Sequence, residues 1–166
     1  MKQPSLYVGT YHKYASGSIK GAWFNLEDYA DKDEFLEACK ALHSDEEDAE
    51  YMFQGFADFP LALYHESAID DNLFEFVHLS EEEQEIMEAW LNYGMDFDVE
   101  RMRECYAGKF DSLTEWAENF LEDTGELNEI PERLRYYFDY EAYARDARLN
   151  GDIWIDDDTG HTFWRN

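Results

Sequence analysis

Leu6-Tyr7-Val8-Gly9-Thr10-Tyr11, then Ala15-Ser16-Gly17-Ser18, then Ile19-Lys20-Gly21-Ala22-Trp23-Phe24-Asn25-Leu26 reads as an antiparallel β-hairpin. Leu6, Val8 and Thr10 alternate with Tyr7, Gly9 and Tyr11 at the period of a half-buried strand, turn formers occupy 15 to 18, and the return strand brings Trp23 and Phe24. The segment is also set apart by charge. Residues 1–26 hold Lys2, Lys13 and Lys20 and not one Asp or Glu.

Outward from the hairpin the charge reverses. Residues 27–100 hold 24 acids against Lys32 and Lys40, a net −22, and residues 101–166 hold 16 acids against 8 Arg and Lys. The whole chain of 166 residues carries −27. A salt-adapted surface spreads its acids over every segment, and the acid-free opening contradicts that. Disorder is excluded by composition: aromatics make up 17% of the chain and hydrophobic residues 45%, enough to build a core. A field of this size repels nucleic acid and anionic membranes and attracts a protein with a basic groove.

Helices are punctuated by their caps. Asp31 with Glu34 has the capping-box spacing and precedes an apolar face of Phe35, Cys39 and Leu42, which ends at the acidic run 45–48. Residues 51–79 read as aromatic and irregular. Ser80 with Glu83 opens a helix with Ile86, Ala89, Trp90 and Tyr93 on one face and Gly94 as its stop. Asp98 opens another, with Val99, Met102 and Tyr106, ending at Gly108, and Ser112 with Glu115 opens a third that runs to Gly125. Pro131 suits the first turn of a fourth, Asp139 caps a fifth that runs to Gly151, and Ile153 to Trp164 closes as a hairpin about Asp157-Asp158-Thr159-Gly160. The class is α+β. The expected organisation is an elongated chain of three small domains: an N-terminal sheet with a helix (1–60), an acidic helical middle (61–104) and an α+β C-terminal domain (105–166).

Several function classes find no support. Calcium loops need a glycine at position 6 and a bidentate Glu at position 12. From Asp156, Gly160 falls at position 5 and the chain ends before a twelfth residue, while the run 45–50 has no glycine. His12, His43, His65, His78 and His161 are scattered without HExxH, and no GxSxG, P-loop or GxGxxG occurs. Carbohydrate hydrolysis by paired carboxylates is the distant enzyme alternative. Cys39 and Cys105 have no metal-ligand or redox spacing, and no apolar run approaches a membrane span or a signal peptide. A cytoplasmic protein with reduced thiols is expected.

On the 80–93 helix, Glu85 and Glu88 find no basic residue between Lys40 and Arg101, so their repulsion reads as uncompensated. Crowding is likewise expected to raise the carboxyl pKa values of the runs 45–50 and 81–88. Duplex DNA carries one charge per roughly 1.7 Å of axis, so a charge of −27 matches about 46 Å of duplex, or about 13 base pairs. A decoy that copies phosphate positions needs charge and shape and can dispense with base edges.

The N-terminal run from Leu6 to Tyr14, with Gly17-Ser18-Ile19 and Gly21-Ala22-Trp23 behind it, resembles the opening of the ArdA antirestriction proteins of conjugative plasmids and transposons. Asp123-Thr124-Gly125-Glu126-Leu127-Asn128-Glu129-Ile130-Pro131-Glu132-Arg133-Leu134, continuing through Tyr137-Phe138-Asp139-Tyr140 to Ala142-Tyr143-Ala144-Arg145-Asp146, is similar to that family's antirestriction motif. The resemblance spans nearly the whole chain and departs most over 61–100. It implies a dimeric DNA mimic of three small α+β domains that binds type I restriction-modification enzymes, through their specificity and methyltransferase subunits, with no catalysis, no cofactor, no metal, no nucleic-acid partner and no membrane.

On this reading the acids of 27–100 are the principal contacts: Asp31, Asp33, Glu34, Glu37, Asp45, Glu46, Glu47, Asp48, Glu50, Asp70, Asp71, Glu75, Glu81, Glu82, Glu83, Glu85, Glu88, Asp96 and Asp98. Asp111, Glu115, Glu118 and Glu122 extend the surface. The motif around 126–146 is implied to lie in or near the dimer contact, with Leu127, Glu129, Ile130, Pro131, Leu134, Tyr137, Asp139 and Tyr140 as its residues. Apolar groups beside arginines suit an interface better than a phosphate mimic. The alternative reading is an acidic interaction module that sequesters a basic nucleoid or regulatory protein.

Overall fold

The computed structural model describes residues 1–165. These form an α+β protein that divides between Leu91 and Asn92 into two compact units. Among the described residues no helix is long and apolar enough to cross a membrane.

The first unit is built on a three-stranded antiparallel sheet of order β2-β1-β3, with β1 at Ser5–Thr10, β2 at Ala22–Asn25 and β3 at Tyr51–Ala57. The hairpin read from the sequence is present, with Leu6 opposite Phe24 and Val8 opposite Ala22. Its connection differs from the expectation. Tyr11–Ala15 is a short helix, α1, capped by Thr10, whose side chain accepts from the Lys13 amide. β3 takes up the first seven residues of the segment 51–79 expected to be irregular. It escapes a period-2 reading because the register slips by one residue: Tyr7 faces Gly55 and Val8 faces Phe53, so Gln54 is the extra residue of a bulge. The bulge turns both Phe53 and Phe56 to the face of Leu6 and Val8. Phe53 N donates to Glu66 O at 2.8 Å, so the segment after β3 satisfies its outer edge.

Helix α2 (Lys32–Leu42) lies on that face and contributes Phe35 and Cys39, both fully buried. Phe35 meets the rings of Phe24, Phe53 and Phe74 at 5.7–6.3 Å. Helix α3 (Leu73–Val77) adds Leu73 and Phe76, and α4 (Glu81–Asn92) adds Ile86, Met87, Ala89 and Trp90. Buried Gln84 donates to Val77 O at 3.0 Å and closes the end of α3. Apolar side chains on one face of each element, each burying surface at about 25 cal/mol per Å², hold the unit against its own charge.

The second unit carries helix α5 (Val99–Cys105), strand β4 (Tyr106–Lys109), helices α6 (Leu113–Thr124), α7 (Glu132–Arg135) and α8 (Tyr140–Leu149), and strands β5 (Ile153–Ile155) and β6 (His161–Trp164). The helix expected to run to Gly108 stops at Cys105, because Tyr106 and Gly108 pair with Phe163 and Thr162 in an antiparallel sheet of order β4-β6-β5. The sheet's hydrogen bonds take over from the helix at Tyr106. The closing hairpin forms as read, and a Cβ on Gly160 would lie 2.3 Å from Phe110 O, so only glycine fits that turn. The core is Leu113, Trp116, Ala117, Ala144 and Ile153, flanked by Phe120 and Trp164.

Candidate functional site

Caps position many of the acids. Asp31 accepts from the Glu34 amide at 2.9 Å, and Glu34 reaches back to the Ala30 amide at 2.7 Å. Asp98 accepts from Arg101 N, Asp139 from Ala142 N, and Glu115 from Asp111 N. These carboxylates fix helix starts and still face water, as anions do at the positive end of a helix.

None of the sequence-predicted carboxylates is buried. Glu46, Asp70, Glu83, Glu88 and Glu115 are partly covered and the others exposed. Asp70 accepts at 3.0 Å from His65 when that ring nitrogen carries its proton, and Asp71 lies 3.6 Å from Lys32. Asp33 and Glu37 on α2, Glu47, Asp48 and Glu50 in the following loop, Glu75 on α3, Glu81 and Glu82 on α4, and Glu118 and Glu122 on α6 point outward from separate elements. The charge is dispersed over several elements instead of converging on one atom.

The expectation that Glu88 is uncompensated is corrected. Lys2 Nζ lies 2.9 Å from its Oε2. The partner comes from the far end of the unit, where no local spacing rule looks.

The second correction concerns the run 45–50. Lys13 is buried on α1, and its ammonium meets three side chains: it hydrogen-bonds His43 Nδ1 at 2.7 Å and Asp45 Oδ1 at 2.9 Å and forms an ion pair with Glu46 Oε2 at 3.0 Å. His43 is itself buried, and its Nε2 donates to Val8 O at 3.0 Å, which assigns the Nε2–H tautomer. Glu46 also accepts from Thr10 Oγ1 at 2.8 Å. The Lys13 hydrogen bond holds the Asp45 carboxyl below its ordinary range against the opposing effect of burial, and it does the same for Glu46, with Thr10 assisting. Lys13 is raised, chiefly by its bond to Asp45. Crowding was expected to raise these two carboxyls. One buried cation outweighs it.

His43, Asp45 and Glu46 bring three ligand atoms within 4.8 Å of one another, a spacing that could hold a metal ion. The Lys13 ammonium stands between them and takes the place of that charge. The fold gives two further histidines structural partners as well: His78 to Tyr29 O and His161 to the Tyr106 hydroxyl. Burial pushes the Cys39 thiol up to about 12, so it is no nucleophile at neutral pH.

Beside the Lys13 network an open hollow of about 390 Å³ is lined by Tyr11, His12, Asp45, Glu46, Glu47, Asp48 and Glu50. In the second unit, Leu134, Tyr136 and Tyr137 are 42%, 89% and 78% exposed on and just after α7. Leu127, Ile130 and Tyr140 are half-buried, whereas Glu129, Pro131 and Asp139 are exposed. Arg135 is engaged within the motif and donates to Ile130 O and Asn128 O at 2.9 and 3.2 Å. Lys2, Lys13, His43 and Tyr136 are the residues that sequence reading missed. Only Tyr136 had a signal, as a second tyrosine in an already apolar run.

A comparison with curated proteins returns no match. The model of one protein family, described as antirestriction protein (ArdA), matches residues 6–160, from the first residues of β1 to the turn before β6. That match takes in the acid-free sheet, the acidic helices and the motif about α7, and the chain therefore belongs to the ArdA family of antirestriction proteins.

Proposed function

We propose that this protein inhibits type I restriction-modification enzymes by occupying their DNA-binding channel, with surface carboxylates in place of duplex phosphates. The observation that carries the reading is the display of acids. On α2, α4, α6 and the loop after α2 they face outward from rigid elements, while the few lysines of the N-terminal segment are used to fix some of them in place. Phosphate contacts position a protein on DNA without reading bases, so a spaced set of carboxylates is sufficient to engage the same Lys and Arg side chains. The partners are the specificity and methyltransferase subunits that hold DNA, in the cytoplasm. The protein performs no catalysis and needs no cofactor.

The acting form is a homodimer joined through the segment about α7. Exposed Leu134, Tyr136 and Tyr137 beside Arg133 support the contact: two bodies of −27 associate only where apolar burial exceeds their repulsion. Competition between this protein and duplex DNA for one purified type I enzyme tests the reading.

A further inference from the structure

We infer that Lys13 is a positioning residue for target binding: it pins the loop 44–50 at Asp45 and Glu46 so that Glu47, Asp48 and Glu50 are presented at fixed spacing around the hollow beside it. The inference rests on the mimic reading and adds to it a cation whose contribution to binding an electropositive target is favourable.

The loop is fastened at both ends. At its start, the Lys13 ammonium binds Asp45 and Glu46, Thr10 Oγ1 binds Glu46, and His43 at the end of α2 ties the ammonium to Val8 O on β1. At its end, Tyr11 N donates to Glu50 O at 3.1 Å. Between these fastenings Glu47 and Asp48 are exposed, and Asp48 adopts φ 57°, a left-handed conformation that Asp tolerates better than most residues. Lys13 neutralises charge that lies nearest the fold and leaves the outward acids unneutralised. Holding those acids in place before binding lowers the ordering cost of association.

Charge alone and positioning make opposite predictions for Lys13→Met. That substitution makes the protein one unit more negative, so attraction to a basic channel increases, whereas loss of the pin frees the loop. The experiment is competition with labelled duplex DNA for a purified type I restriction-modification enzyme, with hydrogen exchange of 44–50 as a second readout. Lys13→Met should weaken competition about fivefold and speed exchange over 44–50, and it should have no further effect in a protein already carrying Glu47→Gln, Asp48→Asn and Glu50→Gln. Equal or tighter competition by Lys13→Met, or the same loss in both backgrounds, overturns the inference.

Should Lys13→Met fail to fold, Asp45→Ala and Asp45→Asn serve in its place. Both remove one charge from a side chain that is 57% exposed, and only the alanine removes the acceptor of Lys13. The alanine variant should lose about fivefold and the asparagine variant less than about twofold; equal losses assign the effect to charge and overturn the inference. A wild type that does not compete removes the mimic reading and this inference with it. A competing wild type beside an indifferent Lys13 removes this inference alone.

Discussion

Lys2 Nζ lies 2.9 Å from Glu88 Oε2 and 3.1 Å from Glu88 Oε1, a two-pronged ion pair between positions 86 residues apart. It joins the acid-free N-terminus to the outer face of α4, a helix with Glu81, Glu82 and Glu83 in its first turn and no basic residue in its last. Lys13 does the same for the loop after α2. The placed charge of the chain is therefore partly an internal arrangement, in which N-terminal lysines meet acids that local pairing leaves bare.

Removing the Lys2 amine tests that arrangement first. Both partners are about one-third exposed, which limits the stabilisation to about 0.3–1 kcal/mol. Lys2→Met should lower unfolding free energy by that amount in denaturant melts at low salt and by less at high salt. An unchanged midpoint at low salt contradicts the pairing.

The Lys13 network sets a pH window. Asp45 and Glu46 are lowered on folding, so their contribution is present above their unfolded values and is lost as pH falls through the folded ones. Lys13 is raised, so its contribution is present below about 10.5 and is lost as pH rises through its folded value. The stability difference between wild type and Lys13→Met should be greatest between about pH 5 and 10 and shrink on both sides. Urea melts of both proteins from acid to alkaline pH check it, and a difference that grows below pH 4 contradicts the assignment.

Legibility followed the range of the interactions. The capping pairs Asp31 with Glu34, Ser80 with Glu83 and Ser112 with Glu115 act over three residues, and the sequence shows each directly. The hairpins were legible for the same reason. β3 was hidden because the Gln54 bulge breaks the alternation that marks a strand, and β4 because its partner β6 lies more than fifty residues away. Lys13 and His43 are 30 positions apart, and nothing in either neighbourhood announces the other. The acids of the candidate surface were legible as composition, whereas their division into fixed and outward groups depended on those distant lysines.

If binding is distributed as proposed, single substitutions are mild. Glu82→Gln should weaken inhibition less than about twofold, whereas Asp33→Asn, Glu37→Gln, Glu81→Gln and Glu82→Gln together should weaken it at least about tenfold. Titration of restriction activity measures both. Abolition of inhibition by one of these changes in a folded protein would mark a localised site instead.

The proposed α7 contact predicts monomers from surface changes. Leu134 and Tyr137 are exposed, so Leu134→Glu and Tyr137→Glu leave the core intact while adding charge to a patch that must overcome mutual repulsion. Sedimentation should show wild-type dimers strengthened by added salt and monomers for both variants. Folded variants that remain dimeric would place the contact elsewhere.

The central claim is that the carboxylates take the place of phosphates, and the most direct measurement is displacement of labelled duplex DNA from a purified type I restriction-modification enzyme over a series of salt concentrations. The account predicts complete displacement at one shared site, with affinity falling steeply as salt rises because both ligands use the same basic channel. A complex that forms equally well on enzyme already saturated with DNA, or whose affinity is indifferent to salt, would contradict it.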